Sequence, residues 1–216
     1  MRVRRTLATL TLASAVLLSP SVMARKISTP KTAVELQTDL GVVTIAIYEK
    51  EAPASSGAFL SQVRGERYDG GSFFRTVRPD NDRSEHPIEV TQALVREDGQ
   101  PIAERPITHE DTSRTGLRHV DGAVSLPRAG LGTTSATSFF ISIGAQPALD
   151  HGGQRNPDGQ GFAVFGRVIC GMDVVRRIQA LPITADSPAP AMNGQILEKP
   201  VRILSARVTQ ARCAKG

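Results

Sequence analysis

Phe73-Phe74-Arg75-Thr76-Val77 is the stretch on which the reading of this chain turns. Aromatic and β-branched residues in a short run favour a strand. Alternation along that strand places Phe73, Arg75 and Val77 on one face. An arginine on an otherwise apolar face loses hydration unless something uses its donors. Long basic side chains also reach solvent from such places, so Arg75 alone decides nothing.

Outward from this run the chain reads mainly as strands. Toward the N-terminus, Ala33–Gln37 and Val42–Tyr48 alternate around the turn residues Thr38-Asp39-Leu40-Gly41, which makes a β-hairpin. Pro53 then opens a helix of about three turns, with Phe59, Leu60 and Val63 at helical spacing and Gly65 to close it. Toward the C-terminus, Ile88–Val95, Ala123–Leu126, Ser138–Ile143, Phe162–Ile169 and Val201–Val208 read as strands, and Gly171–Ala180 returns to helical period. The segment Arg96–His119 is polar and turn-rich, without a sustained period. Eight strands and two short helices without regular strand–helix alternation exclude a doubly wound parallel sheet and favour a closed antiparallel barrel or a sandwich. The long connections between strands are where such a domain carries binding surface.

The first residues belong to a different class. Arg2, Arg4 and Arg5 precede the uncharged, mostly apolar stretch Thr6–Ser19, and Val22-Met23-Ala24 offers small residues where a signal peptidase cuts. The apolar stretch falls short of the roughly 20 residues a membrane span needs. We therefore expect residues 1–24 to be a leader, cleaved before Arg25, on a periplasmic protein with no membrane contact afterwards. Residues 25–32 read as a flexible lead-in, 33–210 as one domain and 211–216 as a tail. Removing 24 of 216 residues leaves 192, and losing three arginines lowers the net charge from +5 to +2. No polybasic run with interleaved aromatics remains, so nucleic-acid binding has no electrostatic footprint. Cys170 and Cys213 are too few for a disulfide scaffold; a bridge between them in an oxidising compartment, or two separate thiols, both remain open.

Other chemistries find little support. His86, His109, His119 and His151 lack ligand spacing with one another or with the cysteines, and read as single surface histidines, so no metal is expected. Gly130-Leu131-Gly132 lacks the Gly-Lys-Ser/Thr of a phosphate loop. Asp150–Gly161 is rich in turn residues, yet Asp150 and Asp158 are too few carboxylates for calcium. Ser135 or Ser138 with a histidine has no nucleophile elbow behind it.

A resemblance spans nearly the whole mature chain. YDGGSFFRTV (Tyr68–Val77), IEVTQ (Ile88–Gln92), SLPRAG (Ser125–Gly130), SATSFFI (Ser135–Ile141), ALDHG (Ala148–Gly152) and GFAVFGRVICGMDVV (Gly161–Val175) follow one another in an order similar to that of the cyclophilin family, its exported bacterial members above all. The resemblance implies peptidyl-prolyl cis/trans isomerase activity on an eight-stranded antiparallel barrel capped by two short helices. It implies Arg75 as the catalytic arginine, Gln92 as its support, and a proline pocket of Phe140, Leu149 and Phe162 with Val90 at the rim; Phe73 and Phe139 would lie in the barrel core. No cofactor is implied. The partners expected are proline-containing unfolded or folding polypeptides, met by a monomer.

Several positions depart from the family pattern. Pro127-Arg128 stands where an Ala-Asn pair holds substrate backbone, and Ser138 where a glutamine precedes the Phe-Phe pair. Ala93-Leu94 replaces two glycines, and Ala148 a large aromatic. A pocket phenylalanine becomes Glu89, or Ile88 in a shifted register. These departures keep a second reading open, a non-catalytic peptide-binding or chaperone module on the same barrel.

Overall fold

The computed structural model describes residues 27–96, 106–184, 187 and 189–213; the expected leader lies outside them. Nine strands, three α-helices and two 3₁₀ turns are present among the described residues. The strands are β1 (Thr32–Thr38), β2 (Gly41–Ile47), β3 (Ser72–Val77), β4 (Val90–Leu94), β5 (Ala123–Leu126), β6 (Ser138–Ser142), β7 (Ala163–Cys170), β8 (Ile183–Thr184) and β9 (Ile196–Gln210). The sheet runs β1-β2-β7-β5-β6-β4-β3-β9, and β9 pairs back onto β1, so eight antiparallel strands close a barrel. Closure leaves no long edge for another chain to pair with. The two-residue β8 adds to β9 outside the ring.

The helices are α1 (Pro53–Arg64), α2 (Thr112–Thr115) and α3 (Met172–Gln179). The first has proline at its start and no side-chain cap of its own. Glu110 supplies one from a distant loop, accepting from the amides of Ala54 and Ser55 at 3.0 and 2.8 Å. A carboxylate there also meets the positive end of the helix dipole. Phe59, Leu60 and Val63 of α1 enter the barrel, where the Phe59 ring lies 5.3, 5.5 and 4.8 Å from those of Tyr68, Phe139 and Phe165. Before α3, Gly171 has φ +86°, and an added Cβ would collide with the Val42 carbonyl, so only glycine fits.

Three expectations need correction. The segment Arg96–His119, read as irregular, contains the single turn of α2, capped by the Asp111 carboxylate, which accepts from the amides of Ser113 and Arg114. A four-residue helix has no period to read. The last strand starts at Ile196, five residues before the expected Val201, because Pro200 breaks the alternation.

The third correction bears on the site. Phe73 and Arg75 do not share a face: Phe73 is in the barrel core, whereas Arg75 faces outward beside Val77. The register of β3 slips between them on both sides. Opposite Phe73 stands Val201, but opposite Arg75 stands Ile196, so residues 197–200 of β9 bulge out of the ladder. Pro200, with no N–H to donate, sits in that bulge. A bulge of this kind re-aims one side chain.

Candidate active site

Strand register builds the site. Arg75 on β3 faces Gln92 on β4, Gln92 faces Phe140 on β6, and Phe140 faces Ser125 on β5, one row across four strands. Directly opposed residues share a face. Gln195 lies one position before Ile196, the β9 partner of Arg75.

The Arg75 guanidinium is held from two sides. Its Nη1 donates to Gln92 Oε1 at 2.9 Å, and its Nε and Nη2 donate to Gln195 Oε1 at 3.0 and 2.6 Å. These bonds use three of five N–H groups, so two remain for a ligand. Gln92 is oriented in turn: its Nε2 donates to Ser138 Oγ at 3.0 Å, and Ser138 Oγ donates to the Ala93 carbonyl at 2.7 Å. Ser138, a departure from the family pattern, thus fixes which end of the Gln92 amide meets Arg75. Burial, and next the nearby Arg155 charge, push the Arg75 pKa down to about 10, against the opposing pull of Asp82. The side chain therefore stays cationic at neutral pH.

Beside Arg75 lies a pocket of about 130 Å³. Val77, Ile88, Val90, Phe140, Leu149 and Phe162 form an apolar cluster separate from the barrel core, with Ala148 packed against it. Phe140 and Phe162 meet edge to face at 5.4 Å, a favoured aromatic geometry. All six residues named from the sequence (Arg75, Val90, Gln92, Phe140, Leu149 and Phe162) line this pocket. Ile88 also lines it, while Glu89 turns away and accepts from Gln179 at 3.1 Å. Phe73 and Phe139 are in the barrel core.

Pro127 and Arg128 line the pocket as well. The buried Arg128 donates to both oxygens of Asp158 at 2.6 and 2.8 Å and to the Gly161 carbonyl at 2.8 Å. The paired arginine holds the Asp158 carboxyl far below its ordinary value. The Arg128 guanidinium also sits 5.5 Å above the Phe162 ring, within cation–π range. Arg128 thus fastens loop 150–161 and one pocket wall.

Sequence reasoning missed two functional candidates. Gln195 was hidden by the misread start of β9. His119 is 2 % exposed, not a surface histidine. Its Nε2 accepts from Ser125 Oγ at 3.0 Å, its Nδ1 lies 2.8 Å from Asp150 Oδ1, and its ring stacks on Phe140 at 6.1 Å. The order Ser–His–Asp resembles a hydrolytic triad, but Ser125 is fully buried and no substrate carbonyl can reach it. The trio backs the wall of the pocket. The Asp150 bond assigns the proton to Nδ1, so neutral His119 is fully satisfied.

Two outcomes follow from this geometry. Gln195→Ala removes the acceptor of two guanidinium bonds, and charge-assisted bonds are worth about 1.5–3 kcal/mol. Turnover of a prolyl peptide should fall about tenfold or more with peptide binding retained; loss of binding with unchanged kcat would argue against a positioning role for Gln195. Burial lowers the His119 pKa below 6.5, although Asp150 pulls the other way. The unfolded chain then takes up this proton more readily than the folded one, so the contribution of His119 to stability is full above pH 6.5 and declines as pH falls below it. Thermal unfolding between pH 7.5 and 5 checks this: the midpoint should drop, and drop less in His119→Asn.

With this geometry in hand, the comparisons are direct. The family model described as "Cyclophilin type peptidyl-prolyl cis-trans isomerase/CLD" matches residues 33–208. A peptidyl-prolyl cis-trans isomerase of Acinetobacter baylyi is 28% identical over 186 residues, covering 85% of this chain and 89% of that protein. Peptidyl-prolyl cis-trans isomerase A of Dickeya dadantii is 29% identical over 183 residues, covering 84% and 86%. Among solved structures, a Cryptosporidium parvum cyclophilin superposes with a TM-score of 0.61 at 15% identity, covering 83% of this chain and 98% of that one. The same protein solved with the dipeptide Ala-Pro gives 0.55 at 17% identity, covering 79% and 98%. At these identities the structures speak for the fold alone.

Proposed function

This chain belongs to the cyclophilin-type peptidyl-prolyl cis-trans isomerases, and from that premise we propose that Arg75 catalyses rotation about X-Pro bonds in exported polypeptides. The observation that carries the reading is a cationic guanidinium, fixed by two glutamine oxygens, with two N–H groups left over at the wall of an apolar pocket.

Rotation about an X-Pro bond faces a barrier of ~20 kcal/mol because it breaks amide resonance. In the twisted transition state the prolyl nitrogen becomes pyramidal and regains a lone pair. A hydrogen bond from Arg75 to that nitrogen exists only in the twisted state, so it lowers the barrier rather than tightening binding throughout. Phe140, Leu149 and Phe162 hold the ring, with Val90 at the rim, while the acyl side turns. The same walls exclude water that would compete for the guanidinium. The orienting bond from Gln92 to Ser138 favours the catalytic reading over a passive peptide-binding module, since a binding module gains little from a fixed guanidinium.

The exported, periplasmic setting rests on the leader pattern of residues 1–24 and on the Cys170–Cys213 disulfide, a bond that persists in oxidising compartments. Expression of the full chain, followed by fractionation and intact mass, tests the setting: the periplasmic product should begin at Arg25, and a retained Met1 would refute the cleavage. The substrate class is tested by refolding a secreted protein whose slow phase is limited by proline isomerisation. Catalytic amounts of the mature protein should shorten that phase.

A further inference from the structure

The site has a second arginine that the mechanism does not use. Arg155 lines the proline pocket beside Arg75 and also lines a neighbouring, more polar hollow of about 280 Å³. That hollow is walled by Asn81, Arg83 and Ser84 from the loop after β3, and by Asn193 and Gln195 from the segment before β9. Gln195 is the residue that holds Arg75, so the hollow and the pocket are adjoining rooms.

Arg155 is held in a set position. Its Nη1 donates to Asp82 Oδ2 at 2.7 Å and to the His86 carbonyl at 3.0 Å, and its side chain is 16 % exposed. Its backbone amide donates to the Ala148 carbonyl at 3.1 Å, within a loop closed by Gly152 N to Gly159 O at 2.7 Å. Asp82 itself is fixed, accepting from the amides of Ile88 and Ser84 at 2.9 and 3.1 Å. Among the described residues, Nε and Nη2 of Arg155 make no hydrogen bond. Arg83 is exposed at the rim of the same hollow.

The charges do not balance. Arg83 and Arg155 line the hollow with one carboxylate, Asp82, which Arg155 already occupies, and Arg75 lines the adjoining pocket. Arg155 is close enough to Arg75 that its charge helps to lower the Arg75 pKa. A polar hollow with spare guanidinium donors and excess positive charge fits an anion. An extended chain advances about 3.3–3.6 Å per residue, so a peptide with its proline in the pocket reaches the hollow one to three residues away.

We propose that this hollow is an anion subsite that selects substrates carrying a carboxylate one to three residues from the isomerised proline, with Arg155 and Arg83 as its ligands. The inference rests on the isomerase reading. The carboxylate comes from an Asp or Glu side chain or from the end of the chain.

The test uses the mature protein with proline peptides that differ only in Glu against Gln at each position from three before to three after the proline. A further pair ends just after the proline in a free carboxylate or an amide, which separates the two sources. Isomerisation is followed by NMR exchange, and binding by titration of the same samples. The best-placed Glu peptide should show kcat/KM about tenfold above its Gln partner at low salt, in line with a charge-assisted contact. That ratio should shrink with added salt, approach one in Arg155→Gln, and fall in Arg83→Gln. Should Arg155→Gln not fold, Arg83→Gln on the exposed loop still decides. Equal values for Glu and Gln at every position in the wild type would overturn the subsite, as would a preference untouched by either substitution. A protein that turns over no peptide would sink the isomerase reading instead, while the titrations would still show whether Glu binds more tightly than Gln.

Discussion

Arg75→Ala is expected to lower kcat/KM for a prolyl peptide by a factor of about 10²–10³, the loss usual when one transition-state donor is deleted. The fold should survive, because Arg75 stands outside the barrel core and its partners keep bonds of their own, Gln92 to Ser138 and Gln195 to the Asn81 carbonyl. Peptide affinity should change far less than turnover, since in the proposed mechanism the bond to the prolyl nitrogen forms only as the amide twists. Arg75→Lys should not rescue the activity. A lysine keeps the charge but lacks the planar fork that meets Gln92 on one side and Gln195 on the other while still presenting free donors. Unchanged turnover in a folded Arg75→Ala protein would assign the chemistry elsewhere.

Loss of the disulfide should be the largest single loss of stability. Cys170 closes β7 and Cys213 follows β9, with Cα atoms 5.8 Å apart and a sequence separation of 43. In the ring β7 and β9 are separated by β2 and β1, so the bridge spans the seam where β9 closes onto β1. For a loop of this length the chain-entropy model gives ~4 kcal/mol, by restricting the unfolded chain. Cys213→Ser, or reductant added to the native protein, should lower the denaturant midpoint without changing the proline pocket, whose lining on β3, β4, β6 and the loops at 127–128 and 149–162 includes neither cysteine. Equal midpoints with and without reductant would contradict the expectation.

The legible parts of the fold were those with a local signal. β5 matches its sequence limits, β3 holds the whole run Phe73–Val77, the β1–β2 hairpin lies where alternation and turn residues put it, and α1 runs from Pro53 to Arg64 as its spacing implies. The pocket residues carried a signal of another kind, several motifs in a fixed order, and all of them line one hollow. What escaped depends on register. Gln195 meets Arg75 only because residues 197–200 leave the β3 ladder, and Pro200, which marks the break, does not say how far the register slips. His119 is buried because Ser125 and Asp150 satisfy both ring nitrogens, partners 6 and 31 residues away in sequence. The pairing of Cys170 with Cys213 likewise follows from strand order around the ring, which spacing alone does not give.

Taken one residue at a time, the departures at Pro127-Arg128 and Ser138 keep a non-catalytic peptide-binding module open as a second reading. In three dimensions each has a partner that restores order. Arg128 ties Asp158 and the Gly161 carbonyl behind Phe162, and Ser138 orients Gln92. Pro127 lines the pocket with no amide to donate to a peptide backbone. Affinity for short, neutral peptides should therefore be the property most changed, with the chemistry at Arg75 preserved.

The central claim is tested most directly by cis/trans exchange of an X-Pro peptide in the presence of the mature wild-type protein, measured by NMR without a coupling protease. Uncatalysed exchange takes tens to hundreds of seconds at 25 °C. The account predicts that catalytic amounts of the protein bring the two isomers into exchange orders of magnitude faster, in proportion to protein concentration. Exchange at the uncatalysed rate, with the peptide visibly bound, would contradict it.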